Sequence, residues 1–87
     1  MTYTLINCAN MAGSGILVRG KPVTDEFQIH AKGCRDEKAM RKIFRRFHSS
    51  AFEDFETIDE ARASFNADLA ETGWDFDSDV TIKPCAH

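Results

Sequence analysis

The apolar residues of this chain change their period at Gly33, and that change limits the fold more than any other feature. Before it, in VTDEFQIHAK (23–32), Phe27, Ile29 and Ala31 alternate with Glu26, Gln28, His30 and Lys32, the period of two that a half-buried strand requires. After it, in RDEKAMRKIFRRFHSS (35–50), Met40, Ile43, Phe44 and Phe47 fall at i, i+3, i+4 and i+7, one stripe of a helix. A chain that turns once from strand to helix period predicts separate strand and helix segments in one α+β domain.

The rest of the chain fills in around that switch. TYTLINCA (2–9) is rich in β-formers and reads as a first strand, NMAGSG (10–15) as a turn, and ILVR (16–19) as a short second strand. GKP (20–22) breaks it, so the segment around Phe27 is a third strand and a hairpin partner of the second. The first helix is expected over 36–48, with Asp36 and Glu37 at the end where the macrodipole favours acids. A second is expected over 58–72, because Thr57 and Glu60 form a capping box and Gly73 is a left-handed C-cap. In GWDFDSDVTIKP (73–84), Trp74, Phe76, Ser78, Val80 and Ile82 alternate with Asp75, Asp77, Asp79, Thr81 and Lys83, which predicts a last strand with one wet face. The expected order is βββααβ: a four-stranded, mostly antiparallel sheet with two helices packed on one face, which is neither the RNA-recognition nor the double-stranded-RNA-binding order.

At 87 residues the chain has room for one domain, 1–87, and one core. Nothing in it approaches the roughly 20 apolar residues of a membrane span. The N-terminal residues lack a basic segment followed by a long apolar run, so no secretory signal and no membrane association are expected, and a cytoplasmic location is the default. Cys8, Cys34 and Cys85 are three, widely spaced and without C-x-x-C, which agrees with reduced cysteines that behave as small apolar residues.

Charge is unevenly distributed. Residues 1–50 carry nine Lys/Arg against four Asp/Glu, whereas residues 51–79 carry ten acids against Arg62 alone. Asp75, Asp77 and Asp79 on one strand face would lie about 6.5–7 Å apart, near the spacing of phosphates along a nucleic-acid strand. With Asp68 and Glu71 they form a candidate surface for a basic protein partner, although like charges on a strand also serve to discourage edge-to-edge pairing. The alternative surface is the basic face of the first helix, Lys38, Arg41, Lys42, Arg45 and Arg46, as a phosphate contact. No aromatic residues interleave these charges and the acids can neutralise them, so direct nucleic-acid binding is not the favoured reading.

No catalytic residue, metal or cofactor is expected. The chain has no phosphate-loop, dinucleotide or H-E-x-x-H motif, and DFDSD lacks the glycine turn and distal acid of a calcium loop. Cys34 just before a helix, with His30 four residues upstream, has no third residue placed by sequence to complete a catalytic set. His30 and Cys34 with Cys85 and His87 supply four zinc-ligand types, but neither pair has finger spacing and the second sits at a terminus.

In length, acidity and mixed α+β character, with the TIDEARASF helix followed by GWDFDSDV, the chain resembles small phage-encoded inhibitors of bacterial defence of the anti-CRISPR type. That resemblance implies a non-enzymatic inhibitor, a monomer or homodimer in the host cytoplasm. Such an inhibitor occupies a basic nucleic-acid-binding surface of a CRISPR effector and blocks target DNA binding or cleavage. The expected function is therefore protein-binding inhibition through the acidic face, and the alternative is a small nucleic-acid-binding module using the first helix.

Overall fold

The computed structural model describes residues 2–9, 12–44 and 52–86. Among these residues six strands and three helices follow in the order β1 (Tyr3–Asn7), β2 (Leu17–Val18), β3 (Lys21–Pro22), β4 (Phe27–Ala31), α1 (Arg35–Phe44), β5 (Phe52–Phe55), α2 (Ile58–Asp68), α3 (Phe76–Asp79) and β6 (Val80–Ile82), with a 3₁₀ turn (Pro84–Ala86) after β6. The α+β class is as expected, while the sheet is mixed. Its order is β5-β1-β4-β6, with β1 antiparallel to β4 and β5, and β6 parallel to β4. No helix among the described residues is long and apolar enough to cross a membrane.

The expectation of two helices on one face is corrected. Register fixes which residues share a side: Leu5 lies opposite Ile29, and Phe27 opposite Val80. These residues meet α2 and α3 in a core with Ala61, Phe65 and Phe76. The alternate residues Ile6 and Cys8 join Val23 and Met40 of α1 in a second core. α1 thus covers one face, and α2 with α3 the other. β4 is buried along its whole length as a result. Gln28 and His30, expected on a wet face, lie under α1 and are 5% and 0% exposed.

The second strand does not pair with β4. β2 and β3 form a separate two-stranded hairpin in which Leu17 faces Pro22, turned through Arg19 and Gly20, both at positive φ. β5 was not anticipated: Phe52 and Phe55 are split by Glu53 and Asp54, too few residues to show a period. Of the first helix expected over 36–48, residues 45–48 lie outside the described residues. The second helix follows its capping signal: Thr57 accepts from the Glu60 amide at 3.1 Å. It ends at Asp68 and not at 72, with Leu69 as its cap and Gly73 at positive φ in the turn beyond.

The last strand is half helix. Asp75 caps α3 by accepting from the Ser78 amide at 3.2 Å, and Asp79 accepts from the Asp75 amide at 2.7 Å. Aspartate side chains that satisfy nearby amides favour a helical turn over a ladder. Phe76 sits fully buried in that turn, its amide donating to Asn66 Oδ1 at 2.9 Å and its ring edge-on to Phe65 at 6.0 Å. The ladder resumes at Val80, opposite Phe27.

Phe76 therefore locks α3 to α2, and Phe76→Ala is expected to cost about 3–5 kcal/mol of stability. Urea unfolding of the two proteins measures it, and a loss below about 1 kcal/mol would contradict this packing.

Candidate metal centre

The carboxyl ends of β4 and β6 point the same way because the pair is parallel. The Lys83 amide donates to the Ile29 carbonyl at 3.0 Å, extending the ladder by one residue, and the 3₁₀ turn then carries Cys85 past the end of β4. On the other side of that end, the Gly33 turn leads into α1. Cys34 caps the helix: its sulfur accepts from the Glu37 amide at 3.4 Å, and the Glu37 carboxylate reaches back to the Gly33 amide at 3.1 Å. Cysteine thus stands where a capping box has Ser or Thr, while the glutamate takes the amide one residue before the cap, because the Cys34 amide itself donates to the Ala31 carbonyl at 3.1 Å.

Three ligand-type atoms meet there. His30 Nδ1 lies 3.6 Å from Cys34 Sγ and 3.7 Å from Cys85 Sγ, and the two sulfurs are 3.1 Å apart. On the far side of the ring, His30 Nε2 is 2.9 Å from Gln28 Oε1. An amide oxygen can only accept, so Nε2 carries the proton and Nδ1 turns its lone pair toward the thiols. Burial, and then the charge of Lys83, hold the imidazole below its ordinary pKa, which keeps it neutral as a ligand must be. Burial raises the Cys34 thiol, opposed by the Glu37 amide.

These separations match a known geometry. For a tetrahedral zinc with Zn–S of about 2.3 Å and Zn–N of about 2.0–2.1 Å, neighbouring S and N ligands stand about 3.6 Å apart and two sulfurs about 3.8 Å apart. Both S–N distances already fit, and the sulfurs need to open by about 0.7 Å to accept the ion. Two thiolates and an imidazole are the donor set that zinc favours.

Sequence reasoning named His30, Cys34 and Cys85 and set them aside on spacing, because it could not see that a parallel β6 returns Cys85 to the end of β4. His87, the fourth ligand suggested by sequence, lies outside the described residues. Gln28 was missed, and its signal was present: two residues before His30 on one strand, it shares a face with it. Ordinary packing does describe Cys8, which is fully buried and whose thiol burial pushes up to about 12.

The charged candidates lie elsewhere. Asp75 and Asp77 are exposed and Asp79 half-buried around the turn of α3, so strand spacing does not relate them. Asp77 pairs with Arg62 at 3.0 Å, Asp68 is exposed at the end of α2, and Glu71 is exposed just beyond it. On the opposite face Lys38 and Lys42 are exposed, while Arg41 is tied to Glu37, to Asp54 at 3.1 Å, and over the Phe52 ring at 5.0 Å. Arg45 and Arg46 lie outside the described residues. Comparison with protein-family models, with curated proteins and with solved structures finds no match to this chain.

Asp54 gathers the polar contacts on the α1 face, accepting from Lys32 at 2.6 Å and from buried Thr4 at 2.7 Å. The Lys32 hydrogen bond above all, aided by Thr4 and Arg41, holds its carboxyl below the usual range. A carboxyl depressed in the folded state stabilises fully above its unfolded pKa, and that contribution is lost as pH falls through the folded value. Urea midpoints followed from about pH 6 down to about pH 2 are expected to fall less steeply in Asp54→Asn than in the native chain. Parallel profiles would show that Asp54 is uncoupled from folding.

Proposed function

We propose that the protein is a small zinc-binding domain that holds the ion through His30, Cys34 and Cys85. The observation that carries this reading is the convergence of one imidazole lone pair and two thiols from two distant stretches of chain, His30 with Cys34 and, about fifty residues on, Cys85, with the far ring nitrogen bonded to Gln28. A metal-bound histidine ordinarily donates its other N–H to such a partner, which fixes ring and tautomer before the ion arrives. Bound there, zinc links the turn into α1 to the C-terminal turn through a strand buried on both sides. It ties together segments that a chain this short has few other ways to hold.

The refolded chain, titrated with zinc against a chromophoric chelator, is expected to bind one ion, and cobalt in its place to show thiolate charge-transfer absorption. Cys34→Ser and Cys85→Ser should each abolish tight binding, Cys8→Ser should leave it intact, and Gln28→Ala should weaken it about 10- to 100-fold. Tight binding that survives both ligand substitutions together would sink the assignment.

A second reading is favoured by the separation of charge across the sheet. Asp68, Glu71, Asp75 and Asp77 are exposed on the α2–α3 side, where Arg62 already bonds Asp59 and Asp77. This layer suits a protein-binding inhibitor of the anti-CRISPR type that docks on the Lys/Arg-rich nucleic-acid surface of a CRISPR effector. Neutralising Asp68, Glu71, Asp75 and Asp77 as Asn or Gln keeps the α3 cap, since Asn caps as well as Asp. It is expected to abolish inhibition of target-DNA binding by the effector, and inhibition by the native chain should fade as salt rises. Full inhibition by the neutral variant would exclude this face.

A further inference from the structure

We infer that the His30–Cys34–Cys85 centre is gated by oxidation: a peroxide joins Cys34 to Cys85 in a disulfide and so expels the zinc. This rests on the zinc reading above and concerns how the ion is released. The two sulfurs stand 3.1 Å apart, between the about 3.8 Å of two thiolates on one zinc and the about 2.05 Å of a disulfide. The pair lies about 0.7 Å from the first separation and about 1 Å from the second, and the two states exclude each other, because a sulfur pair bonded together has no thiolate to offer a metal.

Exposure sets the order of events. Cys85 is exposed in the closing turn, while Cys34 is half-buried at the head of α1. The Cys85 thiolate attacks one peroxide oxygen, the O–O bond breaks, and with one proton a water leaves Cys85 as a sulfenic acid. The Cys34 thiolate then attacks the Cys85 sulfur, the S–S bond forms, the S–O bond breaks, and a second water leaves with a further proton. The two sulfurs have together lost two electrons, the peroxide has gained them, and zinc remains divalent throughout. His30 is then the one ligand left among the described residues, and a neutral imidazole by itself does not retain the ion against water and buffer.

Nothing else in the cluster competes for the oxidised sulfur. Cys8 is fully buried and packs with Ile6, Val23 and Met40 in the core beneath α1. It stays out of the cycle and acts as an internal reference: of three thiols, two are consumed.

The full chain is first loaded with zinc and assayed for bound metal, then titrated with hydrogen peroxide while released zinc is read with a chelator dye and cysteines are mapped by alkylation and mass spectrometry. One zinc is expected to leave for each disulfide formed, with Cys34 and Cys85 in a single cross-linked peptide and Cys8 still a thiol. A dithiol reductant should restore both thiols and zinc uptake, and Cys8→Ser should behave as the native chain. Zinc retained at full peroxide consumption, or released with Cys34 and Cys85 uncoupled, overturns the gate while leaving the zinc site standing. A chain that takes up no zinc in the loading step overturns both, whether or not peroxide then links the cysteines.

Discussion

Burial of β4 on both faces is the constraint from which the remaining structure follows. One set of its side chains, Phe27 and Ile29, packs with Phe65, Phe76 and Val80, while Gln28 and His30 between them lie beneath α1. Each large apolar side chain withdrawn from water in such a strand contributes about 1.5–3 kcal/mol, and here the aromatic rings form a run from Trp74 through Phe27 and Phe65 to Phe76. Phe27 meets Phe65 at 4.9 Å and Trp74 at 5.1 Å, both edge-on. A polar residue trapped in the same strand must find a partner, and the pairing of His30 with Gln28 is that requirement met.

The same strand carries the candidate metal centre. Had β6 run antiparallel to β4, Cys85 would have emerged at the opposite end of the sheet from Cys34. The parallel pairing places it at the carboxyl ends of both strands, where open α/β sheets commonly gather their ligands. Cys34 is held there by its role as helix cap and His30 by its place in the strand, so two of the three donors are positioned by secondary structure alone. Cys85 is fixed by the ladder bond from Lys83 to Ile29 and the ion pair of Lys83 with Asp25 at 3.1 Å.

The sheet also keeps the two signs of charge apart. The acids of α2 and α3 lie on one side and the lysines of α1 on the other, while Asp54 of the edge strand β5 joins Lys32 and Arg41 on the α1 side. The separation is a result of which helix covers which face, and neither helix alone contains that information.

Local signals were legible wherever one physical cause acted alone. The β4 strand, the α1 period, the Thr57 capping signal and the Gly33 and Gly73 turns all stand in the chain as written, because each depends on residues within a few positions; the wet face that alternation assigned to Gln28 and His30 does not, since α1 covers it. DFDSD carried two causes at once, a period of two and a set of aspartate caps, and burial of Phe76 against Phe65 resolved it in favour of a helical turn. β5 offered too short a period to read. The candidate centre was legible as residue types and illegible as a place. By itself, then, the sequence determined an α+β domain with its main helices, most of its strands and a two-signed charge. The tertiary structure alone decided that β6 runs parallel to β4 and that α1 lies opposite α2, because strand direction and helix side are set by contacts between distant residues. Those two choices bring Cys85 to His30 and Cys34.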